Sequence, residues 1–189
     1  KSKLGLQYLF SGLDYIDASW YFNSLRLIEI DTVSLIANRR LPSQLDVNYT
    51  GGGVGVSIED VDYRFNPGKG WRGALNSTLG IKSIVANNTI QSISEGSLDF
   101  AEAYDTLELN SFQAELYAQI EYYKPIGTWA TVKTSVKSAY KYNQERLYDN
   151  ELFRIGGNRL LRGFDEQSIL TDLYAVATVE FRVVLDQNS

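Results

Sequence analysis

The chain has 189 residues, with 18 basic and 23 acidic side chains, a net charge of -5 and no Cys, Met or His. Without Cys there is no disulfide, thiolate nucleophile or Cys-ligated zinc, and without His there is no Ser-His-Asp triad and no His-bound metal. The negative balance argues against a basic nucleic-acid footprint, and the longest apolar run, Leu173 to Ala177, falls far short of the ~20 residues of a spanning helix.

Lys3 to Phe10 sets Leu4, Leu6, Tyr8 and Phe10 against Lys3, Gly5 and Gln7, the alternation of a strand with one apolar side. Leu13 to Asn48 is less regular. Leu25 to Ile30 and Val33 to Ala37 read as strands, a short amphipathic helix over Trp20 to Ile30 competes, and the stretch reads as mostly β. Gly51-Gly52-Gly53 reads as the break before a strand from Val54 to Phe65, and Asn66-Pro67-Gly68-Lys69-Gly70 as the hairpin turn that follows. Trp71 to Ile81 gathers Trp71, Gly73, Leu75, Leu79 and Ile81 on one side. Ala86 to Thr106 is a long polar link. Glu115 to Tyr122 alternates again, Lys124 to Gly127 reads as a short turn, and Thr128 to Tyr142 keeps Lys133, Lys137 and Lys141 on one face. Asn143 to Asn150 is a charged link. Ala175 to Leu185 is the cleanest strand, with Ala175, Ala177, Val179, Phe181, Val183 and Leu185 against a side that holds Glu180 and Arg182.

Several of these segments pass ten residues, whereas strands of soluble domains average nearer ~5 to 6 and tilted membrane strands need ~9 to 11. Short turns at one end and long links at the other fit an outer-membrane barrel. The mean hydropathy of -0.22 does not oppose this, because lipid-facing and lumen-facing residues alternate and cancel. A soluble β protein stays open as the alternative.

Candidate chemistry is sparse. Gly51 to Ser57 has the glycines of a phosphate loop but lacks its GK[ST] ending and opens a strand rather than a helix. Glu59, Asp60 and Asp62 could supply two carboxylates to a hydrolase, with Asp60 and Asp62 on one face if the strand continues; solvated charges are the plainer reading. Asn48, Asn76 and Asn87 begin Asn-x-Ser/Thr triplets that a chain of this composition produces by chance. The densest constellation is Phe153 to Glu166, in which Gly156-Gly157 frees the backbone to turn sharply. Arg154, Arg159 and Arg162 follow, and Leu161 and Gly163-Phe164 flank Arg162. A cation there should seek a carboxylate, and the polar side of the next strand offers Glu180.

These residues resemble the bacterial surface-antigen superfamily of outer-membrane assembly and secretion barrels, the family of BamA, TamA and FhaC. Leu161-Arg162-Gly163-Phe164 is similar to its Val-Arg-Gly-Phe/Tyr signature, with Leu in place of Val. Phe153 to Gly157 resembles the preceding Phe-x-x-Gly-Gly, Glu180-Phe181-Arg182 the acidic-aromatic motif of the next strand, and Tyr63 to Gly70 the Asn-Pro-x-Lys/Arg-Gly turn with Asn66, Pro67 and Gly70. The likeness spans roughly residues 50 to 185 and is closest in wording to Bacteroidetes and Chlorobi members.

The resemblance implies an all-β, antiparallel up-and-down transmembrane barrel in the bacterial outer membrane. About eight of the family's sixteen strands would be present, and residues 1–189 would be part of one barrel domain. No POTRA-like pattern is seen, and the barrel is expected to begin before Lys1 and to continue past Ser189. The signature loop would fold into the lumen, with Arg162 within salt-bridge reach of Glu180 and a second acidic partner beyond the chain. The implied role is insertion of outer-membrane proteins or translocation of a polypeptide, without enzymatic activity or cofactor. Its partners would be membrane lipid, unfolded outer-membrane or secreted polypeptides and accessory assembly proteins, with no nucleic acid. A soluble β-sandwich or small barrel binding a ligand is the alternative, and a carboxylate-only hydrolase the third reading.

Overall fold

The computed structural model describes residues 2–95, 98–158 and 160–183. In chain order its elements are β1 (Ser2–Ser11), β2 (Asp14–Leu25), α1 (Thr32–Asn38), β3 (Asp46–Val61), β4 (Gly70–Val85) and α2 (Asn88–Gln91). Then come β5 (Ser94–Glu95), β6 (Leu98–Asp99), α3 (Phe100–Asp105), β7 (Asn110–Ile126), β8 (Ala130–Asn143), β9 (Phe153–Ile155), β10 (Ile169–Thr171) and β11 (Leu173–Val183). Seven strands form one antiparallel sheet in the order β1-β2-β3-β4-β7-β8-β11, so each long strand pairs with the next long one in sequence. That is the up-and-down order of a barrel wall. Among the described residues there are seven long strands rather than about eight.

Pairing register sorts the side chains. Leu4, Trp20, Gly52, Leu79, Ala114 and Tyr142 form one row across six strands. Since directly opposed residues share a face, all the apolar sides fall on the same side of the sheet. That side is bare: Leu4 is 80% exposed, Leu6 83% and Val179 71%. Away from the strand ends the charges lie on the opposite side, and every ion pair among the described residues uses at least one of its side chains. A soluble sandwich would bring the apolar sides together, and here they point away from the covered interior. The arrangement is that of a membrane barrel wall, apolar outward and polar inward.

The outward band has measurable height. From Trp71 to Ile81 the strand advances about 34 Å at ~3.4 Å per residue. Tilted by ~40°, it rises about 26 Å, against the ~25 Å apolar band of outer-membrane barrels. The upper edge is sharp. The outward row Phe22–Thr50–Ile81–Phe112 is followed two residues on by Ser24–Asn48–Ser83–Asn110. Toward the short turns, Trp71 pairs with Tyr122, and the Trp129 ring meets Phe181 edge-on at 6.0 Å between centroids. Aromatic rings at this level are the usual interfacial girdle.

The connections also divide by length. The links 12–13, 62–69 and 127–129 lie at one end of the sheet, and 26–45, 86–109 and 144–172 at the other. The long links build a cap with its own apolar core, in which Leu35, Leu45, Val47, Ile84, Ile90, Phe100, Tyr104 and Tyr148 pack together. This cap uses helix where strand was expected: Val33 to Ala37 lies in α1. Asp31 starts that helix by accepting from the Ser34 amide at 3.0 Å and the Ser34 hydroxyl at 2.6 Å. Those bonds hold its carboxyl below the usual range, and such an N-cap outweighs the β preference of Val33 and Ile36.

Three boundaries differ from the sequence reading. Gly51-Gly52-Gly53 is no break but the middle of β3, where Gly51 pairs with Gly80. A Cβ on Gly51 would lie 2.8 Å from the Gly80 Cα, and one on Gly80 would lie 2.6 Å from the Gly51 Cα. The missing side chains let two backbones approach on the inward face, where curvature crowds them. Asp62 to Phe65 belong to the turn rather than the strand, because the Asp62 carboxylate accepts the Gly68 and Lys69 amides at 2.9 and 3.0 Å. Lys124 to Ile126 continue β7, paired with Ala130 to Val132. The expected strand residues Val184 and Leu185 lie outside the described residues.

If the outward face meets hydrocarbon, placing a charge at mid-height of β4 is costly. Leu75→Arg is expected to lower stability by ~2–4 kcal/mol, while the inward Asn76→Ser changes little. Urea titration of folding into lipid vesicles measures both.

Candidate functional site

The inward face and the link between β8 and β11 form the site. Tyr21 of β2 and Tyr174 of β11 line one cavity of about 470 Å³, together with Tyr49, Tyr117, Glu115 and Lys137. In a flat sheet, five strand steps of ~4.8 Å would hold β2 and β11 about 24 Å apart. The sheet therefore curls around this space, which is the lumen.

Charges inside the curl are paired. Glu121 is 3% exposed and is contacted by the Arg72 guanidinium, by Lys133 Nζ at 2.9 Å and by the Tyr123 hydroxyl, which donates at 2.7 Å. The Tyr123 ring has Arg72, Lys133 and Arg182 around it at 5.7 to 5.9 Å from its centroid. The turn 62–69 closes over this cluster: Pro67 is buried, and the Thr131 hydroxyl donates to the Gly68 carbonyl at 3.3 Å. Asn66 is exposed, and Gly70, with φ +111, opens β4 in a conformation that leaves no room for a Cβ beside the Asp60 carbonyl.

The β8–β11 link lies on the inward face and is fastened at two points. Lys82 of β4, with 0% exposure, bonds Glu151 Oε2 at 2.9 Å and the Arg146 carbonyl at 2.7 Å. The Tyr148 amide donates to the same carboxylate at 2.9 Å. Next, the Phe153 ring at the start of β9 sits between Tyr117 and Tyr174, edge-on to both at 5.4 and 5.6 Å, with Lys141 Nζ 5.0 Å from its centroid. β9 then pairs with β10 as a small hairpin over the wall.

Beyond β9 the chain makes the sharp turn expected of Gly156 and Gly157, whose φ angles are +126 and +83. The Glu166 carboxylate occupies the space where a Gly157 Cβ would sit and accepts the Asn158 amide at 3.3 Å. Leu161, Arg162 and Leu160 wall a small cavity of about 200 Å³ with Lys133, Lys137 and Glu180. The signature thus faces β8 and β11. Within it, Arg162 is exposed and its Nε donates to the Asn158 carbonyl at 3.5 Å. Glu180 bonds Arg182, two residues along its own strand, at 2.9 Å. Arg162 and Glu180 share the cavity without an ion pair between them among the described residues. Phe164 is 53% exposed and Gly163 has φ +90, so Leu161 rather than Phe164 is the inward apolar contact. Arg159 lies outside the described residues.

The other candidates scatter. Glu59 faces inward opposite Arg72, Asp60 faces outward opposite Trp71, and Asp62 is tied into the turn. Desolvation pushes the Asp62 carboxyl up, but the amides of Lys69 and Gly68 outweigh it and hold the group below its usual value. No carboxylate pair with the geometry of a hydrolase results. Asn48 accepts from Arg26, Asn87 caps α2 and Asn76 lines the lumen.

A wall apolar outside and charged inside, with its longest link folded inward, marks an outer-membrane barrel. The chain matches the Omp85 superfamily domain over residues 43–189, and it belongs to that superfamily. Members are outer-membrane proteins that handle outer-membrane polypeptides in a lipid setting. No curated protein and no solved structure matches the chain.

Lys82 and Glu151 were not legible in sequence; no local pattern joins residues so far apart. Removing one partner of such a buried pair costs about 3–5 kcal/mol. Lys82→Met is expected to lose that much and to expose the link 144–152 to protease, and adding Glu151→Leu should recover most of it. Unfolding and limited proteolysis of the single and double variants measure both effects.

Proposed function

We propose that this chain forms part of an outer-membrane barrel that handles unfolded polypeptide, inserting outer-membrane strands or passing a secreted chain outward, without enzymatic activity or cofactor. Superfamily membership supports the general role. The observation that carries the reading is the β8–β11 link, fixed against the inward face by Phe153 and by the Lys82–Glu151 pair. Such a link sets the shape and charge of the lumen, and a lumen lined by tyrosines and paired charges offers an extended polypeptide both stacking and hydrogen-bonding surfaces.

Insertion and translocation separate in cells depleted of the protein. If it inserts barrels, folded outer-membrane proteins fall; if it translocates, one polypeptide accumulates before the outer membrane while other barrels stay normal. Absence of both defects would overturn the reading. Phe153→Ala, which removes a half-buried ring and two edge-on contacts at a cost of about 2–3 kcal/mol, is expected to free the link and to fail in rescuing whichever defect appears. Folding of the variant is followed by heat-modifiable gel mobility.

A further inference from the structure

The outward surface holds a feature that the lumenal reading does not use. A shallow groove of about 710 Å³ crosses β1 to β4, lined by Leu4, Trp20 and Leu79 around the small residues Ala18, Gly52 and Ser77. Gly52 is the informative one. Its neighbours Gly51 and Gly53 face inward, where an added Cβ would lie under 3.0 Å from other atoms. On Gly52 a Cβ would meet nothing closer than the Trp20 ring at 3.8 Å, an ordinary contact. Backbone packing therefore does not require glycine here, and its effect is to leave the groove open.

Above the groove lies the polar row Ser24–Asn48–Ser83–Asn110. Arg26 stands exposed beside it, held by the Asn48 Oδ1 at 2.9 Å and by the carbonyls of Leu25 at 2.9 Å and Val47 at 3.5 Å. No carboxylate pairs with it among the described residues. A guanidinium has five N–H donors, so a fixed, unneutralised cation with donors to spare sits at the hydrocarbon boundary. Asn48 and Gly52 are about 14 Å apart along β3 at ~3.4 Å per residue. At the ~40° tilt this is a rise of about 10 Å, most of the ~12 Å half-height of the ~25 Å apolar band and so within the depth of one leaflet.

We propose that this surface binds one phosphate-headed lipid from the leaflet at the long-link end, its phosphate on Arg26 and an acyl chain in the groove over Gly52. The cation selects the phosphate, the boundary row sets the height of the headgroup, and the small residues accept the chain.

The test is retention of diphosphoryl lipid A by the purified full protein in detergent, read by native mass spectrometry against the same lipid stripped of phosphate. A charge-assisted contact of ~1.5–3 kcal/mol corresponds to a preference of about tenfold or more for the phosphorylated form. Arg26→Gln is expected to abolish that preference, and Gly52→Leu to reduce retention of both forms. Heat-modifiable mobility shows that each variant is folded. Equal retention of the two lipids, or a preference that survives Arg26→Gln, would overturn the headgroup assignment. Unchanged retention in folded Gly52→Leu would overturn the groove.

Discussion

Hydrocarbon offers a backbone amide no partner, so a wall that crosses a bilayer in strands must satisfy its hydrogen bonds laterally and present apolar side chains outward. The other features of this chain follow from that demand. Strands lengthen until they cross the apolar band, each pairs with its sequence neighbour among the long strands, and the period of two sends the remaining side chains inward. Among the described residues the apolar core familiar from soluble proteins lies not in the wall but in the cap, where the long links leave the membrane and meet water.

An inward face that must take charged side chains faces a second problem, because a partly dry lumen penalises an unpaired ion. Here the answer is neighbouring-strand pairing. Glu121 of β7 takes cations from β4 and β8, and Glu115 takes Lys141 at 2.9 Å. These contacts tie strands together where water is scarce. The same logic fastens the β8–β11 link, since Lys82 finds its carboxylate on that link rather than on a neighbouring strand. Glu180, by contrast, is satisfied within its own strand by Arg182, which leaves the signature arginine beside it in the same cavity.

Curvature sets the third requirement. A curled sheet crowds its concave side, and β3 and β4 relieve the crowding with Gly51 and Gly80 facing each other. In the linear sequence the run Gly51-Gly52-Gly53 reads as an interruption, because an isolated strand is weakened by glycine. The pairing partner reverses that meaning.

The sequence by itself determined the all-β class, the alternation, the division of short turns and long links, and the motifs that place the chain in its superfamily. Each is local: the side-chain period, the turn residues and the contiguous run from Phe153 to Glu166 can be read without knowing what lies across the sheet. Tertiary structure alone decided that Lys82 meets Glu151, that Phe153 seats between Tyr117 and Tyr174, and that Glu180 spends its charge on Arg182. These depend on how the sheet curls and where a long link comes to rest. Sequence spacing carries no record of either, because contact is set by three-dimensional closure and the competing partners lie at comparable distances.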